Sequence, residues 1–223
     1  MNLRILSALF GYVLILTSRG LANPIFVANA SFENPVCGPT APVTCPASNW
    51  ATWAPTGASM GAFLPLPNAW NSIPDGLQVG FSNGGALTQS LGVTVVADMY
   101  YTLSVWVSQR WSAGTFMPDI ELLGGSTPVL TMSNANPGGL AVTQISQGQT
   151  APYNWEDWTM TWRAPSSGAI IGQNLTIWLG SDDIQTDFDL VRLDESVNSP
   201  EPGMFVLIAT GLIGLGVRRR FVK

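Results

Sequence analysis

Histidine is absent from the 223-residue chain, and its single lysine is the last residue, Lys223. No Ser-His-Asp or Cys-His arrangement can therefore form, and the imidazole zinc sites are excluded with them. Schiff-base and Ser-Lys chemistry fall away from the body of the chain for want of a lysine. Carboxylates remain. Glu156-Asp157, Asp119 with Glu121, and Asp182-Asp183 are the pairs that could serve glycoside hydrolysis. Acids of this kind commonly cap strands and turns, so the body is expected not to be an enzyme, with a carboxylate glycosidase as the catalytic alternative. Gly84-Gly85 and Gly124-Gly125 read as hairpin turns and not as phosphate loops, since neither opens a helix.

Tryptophan offers a second kind of chemistry. The chain has nine, more than packing a body of this size ordinarily demands. A pyranose stacks its axial C–H groups on the negative face of such a ring, and a few polar groups then fix its orientation. Trp106, Arg110, Glu121 and Trp178 fall on the outward register of candidate strands, so they are the expected ligand-binding set for a polysaccharide. Trp158 and Trp162 read more simply as core, and Trp50, Trp53 and Trp70 as lids over sheet edges.

The elements that must position these residues are strands. Between Asn23 and Ser199 helical periodicity is scarce, and short alternating runs are punctuated by Gly, Pro and Asn. After Ile25-Phe26-Val27, Asn29 to Pro35 is expected to be an opening strand, and Trp50 to Trp70 an irregular stretch wrapped over the body. Leu77, Val79 and Phe81 alternate, Asn83-Gly84-Gly85 is expected to turn a hairpin, and Ala86 to Leu91 returns. Tyr101 to Arg110 is the clearest strand, with Leu103, Val105 and Val107 on one side. Asp119 to Leu122 turns at Gly124-Gly125, and Met132 to Gly148 reads as a long loop or weak strands. Trp158, Met160 and Trp162, then Leu175, Ile177 and Leu179, mark two further inward registers. Phe188 to Leu193 closes the body beside the opening strand.

Both ends are addresses. Arg4 precedes the apolar run Ile5 to Leu16, and Gly20-Leu21-Ala22 suits a signal peptidase, so residues 1–22 read as a signal helix removed before Asn23. Residues 199–223 contain Pro200-Glu201-Pro202, the apolar segment 204–217, and Arg218, Arg219, Arg220 and Lys223. As a helix the apolar segment is roughly 21 Å long, a short transmembrane span whose basic stop holds it on the cytoplasmic side. The body, residues 23–198, is then one exported domain of sufficient length for a sizeable core. It carries three arginines against thirteen acids, a net charge of −10, which repels phosphate backbones and excludes nucleic acid as a partner. In an oxidising compartment Cys37 and Cys45, the only cysteines, are expected to pair.

The tripeptide, short apolar helix and basic cluster together resemble the PEP-CTERM sorting signal of Gram-negative bacteria that make extracellular polysaccharide. That resemblance implies a transient membrane anchor, cleavage near the tripeptide by an exosortase, and surface display or release into the matrix. Asn29 to Glu33, Gly76 to Leu91, Tyr101 to Val105 and Asp189 to Leu193, in that order, resemble the jelly-roll modules of the galactose-binding-domain-like superfamily, which includes carbohydrate-binding modules. The resemblance implies an all-β antiparallel jelly-roll sandwich, and a structural calcium held by Glu33 and Asp189, which are adjacent if the first and last strands pair. The reading is an exported, noncatalytic β-sandwich that binds extracellular polysaccharide; the alternative is a structural surface protein with no specific glycan.

Overall fold

The computed structural model describes residues 22–46, 50–109, 118–133, 154–181 and 185–197. They are all-β, as the alternating runs require. The strands are β1 (Asn23–Ile25), β2 (Val43–Pro46), β3 (Ala54–Leu64), β4 (Val79–Thr94), β5 (Tyr100–Gln109), β6 (Pro118–Gly124), β7 (Thr127–Ser133), β8 (Glu156–Arg163), β9 (Asn174–Ser181) and β10 (Thr186–Ser196). Their hydrogen-bonded order is β7-β6-β9-β4-β10-β5-β8, with β3 also paired to β4, β2 to β3 and β1 to β10. Residues 1–21 and 198–223, which hold the expected signal helix, sorting tripeptide and apolar segment, lie outside the described residues. Among the described residues no helix is long and apolar enough to cross a membrane.

One strand belongs to both halves of the sandwich. The beginning of β4 pairs with β10 through Gly80↔Phe188 and Ser82↔Thr186, whereas its later part pairs with β9 through Leu87↔Leu179 and Gln89↔Ile177. Asn83-Gly84-Gly85 therefore does not turn a hairpin as expected. It bends a continuous strand round a corner, and β3 follows the same bend alongside. Gly84 has φ 72° and Gly57, opposite Gly85, has φ 112°, backbone geometry that favours glycine. A Cβ on Gly57 would stand 2.8 Å from the Gly85 Cα, so the two strands touch backbone to backbone at the corner.

Between the halves lies the main core. Leu87, Ile120, Leu122, Leu175, Ile177 and Leu179 face it from one side, and Leu103, Val105, Val107, Trp158 and Met160 from the other. These are the inward registers that the period-two pattern marks. Trp162 is only half-buried and stacks on Tyr101, with ring centroids 5.8 Å apart. Trp53 is not a lid: it is fully buried in the core against Phe32, with centroids 5.4 Å apart.

Two further expectations are corrected. The stretch from Trp50 to Trp70 is not irregular throughout, because it contains the eleven-residue β3. Its Ala-Pro-Thr-Gly-Ala-Ser beginning has only Thr56 among the branched and aromatic residues that signal a strand from sequence, yet β4 supplies the pairing partner. Asn29 to Pro35 is not the opening strand. Asn29 and Phe32 have φ 50° and 58°, and the Asn29 side chain closes a turn by accepting from Asn34 N–H at 3.0 Å and donating to Asn34 O at 2.6 Å. The opening strand is β1, and it does lie beside the closing one, through Ile25↔Leu193. Cys37 and Cys45 form the expected disulfide, which ties β2 to the loop before it.

Candidate functional site

Of the four residues expected to bind ligand, the fold brings two together. Glu121 on β6 and Trp178 on β9 are directly opposed, and Thr131 and Thr88 extend the same row to either side. The row alternates with the core row Ile120↔Leu179↔Leu87, so it occupies the outer side of this half of the sandwich. Trp106 lies elsewhere, on β5, beyond β4 and β10 and opposite Asp157 of β8. Arg110 is outside the described residues.

On the β6–β9 face both Trp178 and Glu121 are half-buried. Desolvation pushes the Glu121 carboxyl above its ordinary range, the Asp119 charge adds to this, and the Thr131 hydroxyl, donating to Oε1 at 3.4 Å, works against both. The arrangement is an aromatic ring beside a carboxyl, flanked by two threonines whose hydroxyls donate to Glu121 and to Ala54 O.

The β5–β10 face is built differently, and sequence patterning missed it. Phe63, Trp70, Val79 and Phe81 make a second, smaller apolar cluster on the outer side, with Trp155 and Ile73 packed against it. The Trp70 indole N–H donates to Ser108 Oγ at 2.7 Å, and Ser108 donates to Asn154 O at 2.9 Å, which fixes this cover in place. Asp187, opposite Phe81, is fully buried here and accepts from Gln185 Nε2 at 2.8 Å. The only signal of it in the sequence is an acid inside the closing strand, where an apolar residue would be ordinary. Farther along the same face Arg192 reaches Asp157 through both carboxylate oxygens, at 2.6 Å each, beside Trp106.

Glu33 and Asp189 grip one loop. Glu33 Oε1 accepts from Leu77 N–H at 2.8 Å and Gln78 N–H at 2.7 Å. Asp189 Oδ2 accepts from Asp75 N–H at 2.8 Å and Oδ1 from Leu190 N–H at 2.7 Å. The Asp189 carboxyl is pushed up to about 7, chiefly by burial and with help from the Asp75 and Glu33 charges, against those two hydrogen bonds. Among the described residues no group of three or more Asp, Glu, Cys or His is arranged to hold a metal ion. Glu33 and Asp189 thus fit a calcium ion in donor type alone, and backbone carbonyls or water would have to complete its shell.

Residues 23–194, all of this sandwich but the end of β10, match the HpiC1-like family, described as HpiC1 cyclase. The chain belongs to the HpiC1-like family. Residues 200–220 match the PEP-CTERM protein-sorting motif, as the tripeptide, apolar segment and basic end indicate. The protein is accordingly a secreted one, handled by an exosortase-type enzyme and sorted to the envelope or surface of a Gram-negative bacterium. No curated protein matches the chain by sequence. Among solved structures, an apo cyclase from Fischerella sp. is 21% identical, with TM-score 0.62 over 80% of this chain and 98% of that one. The Stig cyclase Fisc from Fischerella sp. TAU, in complex with (3Z)-3-(1-methyl-2-pyrrolidinylidene)-3H-indole, is likewise 21% identical, with TM-score 0.62 over 79% and 98%. Those likenesses establish the fold. The xylan-binding CBM22-1 domain of Paenibacillus barcinonensis Xyn10C is more distant, 12% identical with TM-score 0.44 over 80% and 98%.

Proposed function

We propose that this HpiC1-like sandwich is a noncatalytic surface or matrix protein that binds extracellular polysaccharide on its β6–β9 face. The observation that carries the reading is the direct opposition of Glu121 and Trp178 on an outward row. Sorting to the surface puts that row where such polymers are. With a body charge of −10, a neutral polymer suits it better than an anionic one. The test is binding to the polysaccharide of the producing bacterium: W178A is expected to lose it and W106A to keep it. Equal loss in both variants, or in neither, contradicts this placement. Structural calcium at Glu33 and Asp189 belongs to the same proposal.

A second reading rests on Asp187. A buried carboxyl opposite Phe81, which belongs to the apolar cluster with Phe63 and Trp70, is of the kind that exchanges a proton with an apolar aromatic substrate, and the relatives named above are cyclases, one of them holding an indole compound. Turnover of an indole-bearing substrate that D187N abolishes would favour cyclase chemistry over the noncatalytic reading.

A further inference from the structure

The β6–β9 row has a feature that bears on which face of Trp178 a ligand meets, and it deepens the glycan reading on which it rests. Trp178 and Gly180 project from the same side of β9. A Cβ on Gly180 would stand 2.8 Å from Trp178 Nε1, 3.1 Å from Asp119 O and 3.3 Å from Gly85 O. The indole therefore leans along its own strand over a position that any side chain would contest. Its N–H is buried with no acceptor among the described residues, although the residue as a whole is half-buried. Across the strands, fully buried Ala86 opposes Gly180 on one side and Asp119 on the other. Small residues at 86 and 180 thus make a bed for the ring, and Asp119 and Glu121 rim it along β6.

Gly180 is not among the glycines with positive φ, so its backbone does not require glycine. What a Cβ there would meet first is the indole, and after it the Asp119 and Gly85 carbonyl oxygens. An upright indole offers a sugar its edge, whereas a reclining one offers its negative face, and pyranose C–H groups prefer the face. We propose that Gly180 is a specificity-determining residue: it lays Trp178 down so that the ring face takes the C–H face of a neutral pyranose in an extracellular polysaccharide, with a sugar hydroxyl donating to Glu121. The acidic rim disfavours uronate or sulfated chains.

The test uses the full chain produced in its own bacterium, recovered after processing and titrated on polysaccharide purified from that bacterium. The wild type is compared with W178A, G180A and W178A/G180A. W178A is expected to weaken binding about thirtyfold, as loss of a central aromatic contact does. G180A is expected to weaken it about five- to tenfold by raising the ring, with no further loss in the double variant beyond that of W178A. A folded G180A that binds like the wild type, while W178A does not, overturns the role of Gly180 and leaves the platform standing. A wild type that does not bind, or a W178A that binds equally well, removes the platform and this inference with it. If G180A fails to fold, W178A/G180A is expected to fold again; its continued failure would show that the indole is not what Gly180 accommodates.

Discussion

Asp189 is fully buried and its carboxyl is pushed from an ordinary 3.8 up to about 7. Between those values the folded protein holds a proton that the unfolded chain has released, so this group's contribution to stability falls as pH rises from about 4 to about 7. In EDTA, the urea midpoint of the wild type is expected to be higher at pH 5 than at pH 8, and D189N to flatten that difference. An unchanged profile in D189N would assign the dependence to other groups. Calcium, if Glu33 and Asp189 hold it, should raise the midpoint more at pH 8 than at pH 5, because a protonated Asp189 is a poor ligand. A calcium effect that survives D189N would place the ion elsewhere. Both acids were legible in the sequence as neighbours of the first and last segments. That they share the loop Asp75–Gln78 was not, because that loop contacts them from forty or more residues away.

At the scale of elements, strand registers were legible wherever one face is core: β5, β8 and β9 follow the alternation of their apolar residues. The corner in β4 was not, because a glycine pair fits a hairpin turn and a bend in a long strand equally well by local criteria. What distinguishes them is β3, whose weak β-forming sequence hides the partner strand. G57A is expected to destabilise by about 1–3 kcal/mol, through positive φ and collision with Gly85 combined, read as a lowered urea midpoint with an unchanged slope. A neutral substitution would mean that the corner is looser than a backbone contact allows. The Cys37–Cys45 disulfide should contribute roughly 2.5 kcal/mol by the loop-closure argument, measured as the loss of stability in a paired Cys→Ala variant. No loss would mean that the Gln78 side chain, which bonds Cys37 N–H, Phe32 O and Pro35 O, already holds this loop by itself.

Across the whole molecule, the C-terminal sorting motif and the all-β class were legible because charge order and periodicity are one-dimensional signals. The joint placement of Trp106 with Trp178 was not, since alternation fixes which side of a strand a residue takes and leaves open which half of the sandwich the strand joins. The β6–β9 row and the covered β5–β10 face therefore divide between them what the sequence presents as one set of outward residues. Mass spectrometry of the protein from its own bacterium should find cleavage near Pro200-Glu201-Pro202, and an intact Arg218 to Lys223 would contradict sorting by that route. The most direct test of the central claim is a binding isotherm of the processed protein and of W178A on the polysaccharide of the producing bacterium. The account predicts saturable binding by the wild type and a loss of about thirtyfold in W178A; indistinguishable isotherms for the two would contradict it.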